Sequence, residues 1–502
     1  MPPAPPHIVV IGAGIGGLCC ALQLVHAGAQ VTIVDSHAQV GGKMRTLPTV
    51  AGPVDAGPTV LTMKHVFDTL FTSVGARLAD HVTLTPEPIL ARHFWSDGTQ
   101  LDLMQDTDQS RDNITAAFGT DAARDFTKFM RRSAALYAAF DAPMMQTPVP
   151  TLAAMTAQTL RNPRLIPAMA PHQSLARSLR SQFRDPRLAQ LFARYATYVG
   201  GIPEKSPAIL SLIAHAEASG VWHVKGGMHR LATAIADLAV TKGAQLCLAT
   251  HATRIETQNG RTAAVQTDVG RIKADAVVFN GDPQAIHTGL LGTGVAAAVP
   301  DQSPRSLSAC VHSFAAIPAG PTLAGHNVIF ADDPATEYAP LTRGQPQTDP
   351  TLYICAQDRF GGNTPTGPER FEIIMNAPPL TAPEDKTCQT LIFNRLRDRG
   401  LTFSPTPDAN SLTTPTQFAA MFPASTGSLY GRSPHTMTAA FKRPTARTSI
   451  TGLYLAGGGT HPGAGVPMAA LSGRHAAAAM ISDLCLTSMS PQADMHGGMS
   501  TA

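Results

Sequence analysis

The sequence predicts an α/β fold that begins with a Rossmann-like nucleotide-binding unit. Residues 8–11 form an apolar run typical of a buried strand, and residues 15–27 place apolar side chains at helical spacing before Gly28. Residues 31–35 form a second strand-like run that ends in an acid. Strand, helix and strand together make a complete βαβ unit, which is the framework that open parallel sheets use to bind nucleotides.

A glycine fingerprint joins the first strand to the helix. Residues 12–17 read Gly-Ala-Gly-Ile-Gly-Gly. In such a turn Gly12 allows the sharp bend, Gly14 lets a pyrophosphate reach the backbone, and Gly17 lets helix and strand pack closely. The helix N-terminus offers free N–H groups to the phosphates. Asp35 then accepts hydrogen bonds from the ribose hydroxyls and repels a 2′-phosphate.

Composition excludes several classes of protein. Of the 502 residues, 44% are apolar and 15% charged, a balance that excludes a disordered chain. The formal charge of +3 gives no support for nucleic-acid binding. Seven cysteines lack CxxC or zinc spacing, so we expect single thiols in a reducing cytoplasm and no metal site. The N-terminus lacks the pattern of a secretory signal, and no apolar run is long enough to span a membrane.

The rest of the chain divides into regions of different pattern. Residues 110–200 are mostly helical, whereas 245–255 and 262–279 predict strands with a turn at Asn259-Gly260. Residues 308–400 mix short strands with loops, and 452–456 predict a last strand before an alanine-rich helix. A second glycine run at 292–297 lacks a preceding strand and a following acid, so we expect a loop there and no bound nicotinamide.

Three motifs resemble one family of flavoenzymes. Gly41-Gly42-Lys43-Met-Arg45 and Asp55-Ala-Gly57-Pro58-Thr59 are similar to segments of the FAD-dependent amine oxidase and phytoene desaturase superfamily. Residues 452–473 (Gly-Leu-Tyr-Leu-Ala-Gly-Gly-Gly-Thr-His-Pro-Gly-Ala-Gly-Val-Pro-Met-Ala-Ala-Leu-Ser-Gly) resemble the C-terminal signature of bacterial-type phytoene desaturases at nearly every position. The run His326-Asn327-Val-Ile-Phe330 is similar to the hydroxyneurosporene and methoxyneurosporene 3,4-desaturase subgroup.

The resemblance implies FAD as the cofactor. Asp35 stands where the family usually has Glu, and the backbone near Val466, Met468 and Ala469 is expected to face flavin N1/O2, where a helix N-terminus stabilises charge. Arg45 fits a phosphate contact or a solvated surface charge equally. His461 could be catalytic, but a structural role that fixes the backbone of its turn is preferred. The expected cofactor-binding residues are Gly12, Gly14, Ile15, Gly16, Gly17, Asp35, Gly41, Gly42, Lys43, Gly57, Pro58, Thr59, Ala252, Gly457, Gly458, Val466, Pro467 and Met468.

The same resemblance implies the architecture: a Rossmann-like (GR2-type) FAD-binding domain with an inserted α+β substrate domain and a helical lid. The segments 1–75, 226–285 and 430–487 are assigned to the FAD domain and 76–225 and 286–429 to the substrate domain. Residues 488–502 are expected to form a disordered tail.

The implied partner is a carotenoid, with oxygen or a quinone as electron acceptor. Seven arginines between Arg161 and Arg194, interleaved with apolar residues, fit either an amphipathic face on the cytoplasmic side of an anionic membrane or an ordinary solvated helix. The expected reaction is C3–C4 desaturation of an acyclic 1-hydroxy- or 1-methoxycarotenoid. The sequence identifies no catalytic side chain and no proton acceptor.

Other activities remain compatible with the motifs. A phytoene desaturase, a carotenoid oxidase and an isomerase would share them. An amine oxidase is disfavoured because it needs an aromatic cage and the chain has only two Trp and seven Tyr. A non-enzymatic prenyl-lipid carrier of the same architecture is disfavoured by the intact fingerprint.

Overall fold

The computed structural model describes residues 4–379 and 385–486. Its strands, in chain order, are β1 His7–Ile11, β2 Gln30–Val34, β3 Thr46–Leu47, β4 Val54–Asp55, β5 Leu84–Pro86, β6 Ile89–Phe94, β7 Gln100–Met104, β8 Trp222–Val224, β9 Gln245–Cys247, β10 Ala252–Gln258, β11 Arg261–Thr267, β12 Gly270–Lys273, β13 Ala276–Phe279, β14 Ser308–Ala319, β15 His326–Ile329, β16 Leu352–Ala356, β17 Glu369–Ala377, β18 Thr402–Ser404, β19 Leu412–Thr413 and β20 Leu453–Leu455.

The α-helices are numbered in the same way. They are α1 Ile15–His26, α2 His65–Ser73, α3 Thr107–Phe118, α4 Thr120–Phe140, α5 Leu152–Arg161, α6 Leu165–Met169, α7 Leu175–Gln182, α8 Pro186–Ala193, α9 Ile213–Ala218, α10 His229–Thr241, α11 Gln284–His287, α12 Thr293–Ala296, α13 Pro334–Thr342, α14 Asp385–Asp398, α15 Pro415–Met421 and α16 Val466–Asp483. Within the described ranges, no helix is both long and apolar enough to cross a bilayer.

A parallel sheet in the order β20-β13-β1-β2-β9 forms the nucleotide-binding half. Its strands are short apolar runs because both faces are covered. Helices α1, α10 and α16 cover one face, and the antiparallel sheet β10-β11-β12 covers the other. Helices α1 and α16 approach closely, since a Cβ at Gly473 would collide with the carbonyl oxygen of Gly16.

A second sheet in the order β18-β14-β17-β16-β15-β6-β7, with β19 also paired to β14, forms the other half. One face packs its aliphatic and aromatic side chains against α14. The opposite face, near the β15 and β6 edge, packs against helices α3, α4, α7 and α8. This second face therefore lies under the helical region that the sequence analysis assigned to the lid.

Several expectations differ from the structure in detail. The region 308–400 contains a twelve-residue strand, β14, and the long helix α14, not only short strands and loops. Residues 293–296 form one helical turn where a loop was expected, and β12 adds a strand after Val269. The structure also pairs Cys310 with Cys388, 78 residues apart, whereas single thiols were expected because no cysteines have CxxC or zinc spacing.

The three segments assigned to the FAD domain contribute all five strands of the parallel sheet. The exact domain boundaries stay a prediction. The expected tail, 488–502, lies outside the described residues.

Candidate cofactor site

The end of β1 and the start of α1 form a cradle without side chains. Gly12 has φ +105°, which only glycine adopts freely, and Gly14 is the N-cap of α1. The first intrahelical bond is donated by the Leu18 N–H to the Gly14 carbonyl, so the N–H groups of residues 15–17 have no intrahelical partner. No side chain caps this end and its first turn has no acid, which leaves it open to an anion.

Asn280 closes the cradle from the next strand. It follows β13, and its Nδ2 donates to the Gly12 carbonyl at 3.1 Å. A Cβ at Gly16 would collide with the Asn280 side chain and with the backbone of Gly457. The carboxyl ends of β1, β13 and β20 therefore meet in one compact edge, and the glycines are required there by packing.

Asp35 is buried at the end of β2 and holds the same turn. Its Oδ2 accepts the Ala13 N–H at 2.7 Å, and its Oδ1 accepts the His37 N–H at 2.8 Å. The His37 Nδ1 lies 2.9 Å from the same Oδ1, and this hydrogen bond raises the pKa of His37. A carboxylate accepts about four hydrogen bonds, so acceptor capacity remains for a ribose hydroxyl. The Thr250 N–H donates to the Asp35 carbonyl, which brings the start of β10, at Ala252, to this corner.

The glycine turn after β2 lies directly against the fingerprint. The Gly41 N–H donates to the Ala13 carbonyl at 2.8 Å, and Gly41 forms an isolated parallel β-bridge with Gly14. Gly42 has φ +58°, and a Cβ there would lie 3.3 Å from the Gly14 Cα. The two turns thus form opposite walls of one site.

Two basic residues of this turn are turned inward. Lys43 donates to the Leu429 carbonyl, and burial lowers its pKa to about 8. Arg45 donates to the Thr413 hydroxyl at 2.7 Å and is half-buried, so it is not a solvated surface charge. This hydrogen bond joins the glycine turn to β19.

The C-terminal signature forms a second cradle of the same kind. Gly457 has φ +100°, and α16 begins at Val466 after the N-cap Gly465, again without a side-chain cap or a first-turn acid. Its second residue, Pro467, has no N–H to leave unpaired. The Ala469 N–H makes the first helical bond, to Gly465. The N–H groups of Val466 and Met468 therefore have no intrahelical partner.

Arg443 was missed as a site residue. It is buried and donates to the carbonyls of Gly458, Tyr430 and Arg432. The sequence showed it only as part of an Arg-Pro pair, because its three acceptors come from loops that only the fold brings together.

His461 is held in the way the sequence analysis preferred. Its Nε2 lies 2.8 Å from the Thr147 carbonyl, and its ring stacks on His475 with centroids 5.9 Å apart. Burial lowers its pKa to about 4, so it is neutral at physiological pH. This neutral ring ties the signature loop to residue 147, near the end of α4.

The segment after β4 connects the cofactor site to the second sheet. A Cβ at Gly57 would collide with the Lys43 carbonyl, and Pro58 follows in the same turn. The Thr59 hydroxyl lies 2.9 Å from the Tyr353 hydroxyl on β16. This segment is therefore placed between the glycine turns and the sheet under the lid.

These features fit a dinucleotide. Helices α3, α8 and α13 are each capped by an aspartate side chain, at 106, 185 and 333, whereas α1 and α16 have free N-termini and begin at the same edge of one sheet. Two such helix ends are expected where an extended anionic ligand crosses the carboxyl ends of parallel strands.

Comparison with known proteins agrees with this geometry. Residues 15–481 match the family model of flavin containing amine oxidoreductases. The chain is 55% identical to hydroxyneurosporene desaturase of Cereibacter sphaeroides, covering 95% of this chain and 98% of that protein.

The chain belongs to the carotenoid desaturases of the flavin-containing amine oxidoreductase family.

More distant relatives share its length and fold. A 1-hydroxycarotenoid 3,4-desaturase from Flavobacterium sp. is 26% identical over 476 residues, covering 93% of this chain and 97% of that one. Cyclohexylamine oxidase from Brevibacterium oxydans has the same fold, with a TM-score of 0.56 at 17% identity, covering 96% of this chain and 99% of that one. The enzyme is thus an FAD-dependent oxidoreductase of carotenoid biosynthesis.

Proposed function

We propose that this desaturase introduces the C3–C4 double bond into an acyclic 1-hydroxy- or 1-methoxycarotenoid. The observation that carries the proposal is the 55% identity, over nearly the whole of both chains, to a hydroxyneurosporene desaturase. Apolar side chains fill the space between the second sheet and the helical region, and a polyene substrate requires apolar surroundings of this kind.

The chain's own groups divide the work of holding FAD. The open N-terminus of α1 would bind the pyrophosphate and Asp35 the adenosine ribose, while the backbone at Ala252 would pack beside the adenine. The N–H groups of Val466 and Met468 would stabilise negative charge at the pyrimidine end. When bound, FAD supplies the hydride acceptor, and the protein contributes orientation and a dry site.

The proposed reaction is tested with FAD-loaded protein and liposomes that contain either phytoene or a 1-hydroxycarotenoid, with oxygen or a quinone present. A red shift of the hydroxycarotenoid spectrum, with phytoene unchanged, is expected because a new double bond lengthens the conjugated system. Conversion of phytoene instead would make the enzyme a phytoene desaturase. Oxygenated or merely isomerised products, separated by chromatography and mass, would indicate a carotenoid oxidase or isomerase.

We also propose that the enzyme docks on the cytoplasmic face of an anionic membrane through a surface around α5. The exposed apolar side chains Val149, Leu152, Leu160 and Ile166 define this α5 surface. Arg161 and Arg164 are exposed beside it. Apolar residues that enter the interface, flanked by cations, suit an anionic bilayer.

The α5 surface replaces the longer amphipathic face considered from sequence. Apart from Ile166, the apolar residues of 161–194 that suggested that face are buried. Arg184 binds Asp121 and Asp125, and Arg187 binds Asp97 and Asp185. The arginine pattern from 184 onward therefore reflects ion pairing within the helical region.

Leu152→Glu with Leu160→Glu is expected to weaken binding to anionic liposomes at least tenfold, because two apolar contacts worth roughly 1.5–3 kcal/mol each when fully buried are lost and two like charges are added. Co-sedimentation measures the effect. The control is Val269→Glu, an equally exposed apolar site on the hairpin turn between β11 and β12. If the double variant binds the liposomes as well as the Val269→Glu control does, the membrane contact lies elsewhere.

A further inference from the structure

A row of buried polar side chains crosses the second sheet on the face under the lid. Ser313 of β14 pairs in register with Glu372 of β17, Glu372 with Cys355 of β16, and Cys355 with His326 of β15. Side chains paired in register lie on the same face of a sheet. We name these four residues the polar row. Each of them is buried, with at most 3% of its surface exposed.

On one side of the polar row the same face is mostly apolar, whereas on the other side the next register position pairs Ala315 with Arg370. The next register positions carry Val311, Ile374 and Val328, with Tyr353 between them. The Ser313 hydroxyl and the His326 Nε2 have no hydrogen-bond partner among the described residues, and the Glu372 carboxyl, which faces the Thr59 hydroxyl and the Gly57 N–H, makes no well-formed hydrogen bond with either. Buried polar atoms without partners cost free energy, so a ligand that pairs with them is the expected reason for their presence.

The row begins directly beside the proposed cofactor site. The Thr59 hydroxyl bonds to the Tyr353 hydroxyl at 2.9 Å, which in turn lies 2.7 Å from the His326 Nδ1. Gln357 exchanges two hydrogen bonds of 3.0 Å with the backbone of Asp55. The segment 55–59, which contains the expected cofactor-binding residues Gly57, Pro58 and Thr59, therefore lies against the row.

Glu372 is the central member, and its chemistry suits an oxygen ligand. Burial, and next the charge of Asp55, hold its pKa well above the usual range against the opposing effect of Arg45. A raised pKa favours the neutral acid, which can both donate and accept a hydrogen bond. Arg45 does not form an ion pair with it, since no Arg45 nitrogen lies within 4.0 Å, and its guanidinium binds Thr413 instead.

The ring of Phe360 separates the row from a cleft at the surface. It contacts His326 edge-on, with centroids 4.9 Å apart, and stacks on His223 at 4.4 Å. With His223, Gln357 and Arg370 it lines a cleft of about 320 Å³. The polar row thus lies between this cleft and the cofactor segment.

We propose that the polar row, centred on Glu372 and His326, is the subsite that binds the C1 oxygen of the carotenoid. This inference rests on the proposed 3,4-desaturation. The oxygen-bearing carbon C1 is separated from the reacting C3 by a single carbon, so its hydrogen-bond partner must lie close to the reaction centre. A protonated Glu372 can donate to a methoxyl as well as to a hydroxyl oxygen, whereas a carboxylate could serve only the hydroxyl.

The test compares binding of a 1-hydroxycarotenoid with that of the same carotenoid lacking the oxygen, both in detergent micelles, by quenching of tryptophan fluorescence. Wild-type protein is expected to prefer the hydroxylated compound. Glu372→Leu is expected to reduce this preference about 10- to 100-fold, because the hydroxyl loses its partner. Glu372→Gln, which keeps one donor and one acceptor, should retain part of it, and His326→Phe, which preserves ring packing, should lose part of it.

Glu337→Gln is the matched control. Glu337 is also a buried glutamate, but its carboxyl oxygen already accepts from Asn376 at 3.0 Å, four residues along β17 from Glu372. Flavin content and thermal unfolding verify that each variant folds. If Glu372→Leu does not fold, the test rests on the Glu372→Gln and His326→Phe variants. An unchanged preference in the row variants, or no preference in wild-type protein, would overturn the proposal. Failure of the proposed function would give a different result. Wild-type protein would then bind the hydroxycarotenoid but convert neither this compound nor phytoene.

Discussion

Gly14→Val is expected to yield folded protein that is almost free of FAD. The backbone at Gly14 has φ −74° and ψ 169°, an extended conformation that other residues adopt readily. A Cβ there would lie 3.0 Å from the Asn280 Nδ2 and 4.0 Å from the Gly41 carbonyl oxygen, so it fits with a small adjustment. The added methyl groups would instead occupy the space in front of α1 where a pyrophosphate must approach.

Because the backbone at Gly14 tolerates a side chain, Gly14→Val separates loss of FAD binding from loss of folding. Substitution at Gly17 would drive a Cβ into the Gly12 carbonyl and damage the turn itself. The absorbance ratio at the flavin and protein bands measures occupancy, and circular dichroism measures folding. Asp35→Ala should lose FAD only partly, at a cost of about 1–3 kcal/mol from unmet hydrogen bonds. Gly367→Val, at an open loop position, is the control, and full occupancy in Gly14→Val would refute the assigned cofactor site.

Glu217→Ala is expected to destabilise the fold by about 3–5 kcal/mol, because it leaves a buried cation without its counter-charge. Arg194 and Glu217 are 5% and 3% exposed, with nitrogen and oxygen 3.6 Å apart. The Glu217 carboxylate also accepts from the hydroxyls of Tyr195 and Tyr198. Among the described residues, the Arg194 Nη1 donates to the Tyr198 hydroxyl, its Nε and Nη2 have no hydrogen-bond partner, and Glu217 is the one carboxylate within 4.0 Å.

Denaturant unfolding of the holoprotein measures this effect. Glu256→Ala removes the more exposed pair with Arg271 and should cost less than about 1 kcal/mol. A double variant, Arg194→Met with Glu217→Leu, should recover much of the loss, since it removes both charges together. A Glu217→Ala protein as stable as wild type would mean that water reaches Arg194.

The parts that could be predicted from sequence are local in the chain. The first βαβ unit depends on apolar runs, glycine spacing and an acid within residues 8–35, and the structure reproduces it. The strand–loop–helix of residues 453–483 was predicted for the same reason. In both places each residue's role follows from its near neighbours.

The parts that were missed depend on contacts between distant segments. Glu372 has an ordinary strand context, and only the register of β14, β15, β16 and β17 reveals the polar row. Arg184 resembled a surface cation until the fold brought it to Asp121 and Asp125, about 60 residues earlier. Sequence spacing carries no information about such pairings.

The order of strands in the parallel sheet also constrains how the enzyme is made. Strand β13 lies between β1, near the start of the chain, and β20, at residues 453–455. A ribosome must therefore synthesise almost the whole polypeptide before the sheet and its second glycine loop can close. Until then the apolar edge of β13 has no partner, which favours association with chaperones or other chains. The edge of the sheet that would receive FAD is therefore expected to be complete only once residues 453–468 have been synthesised.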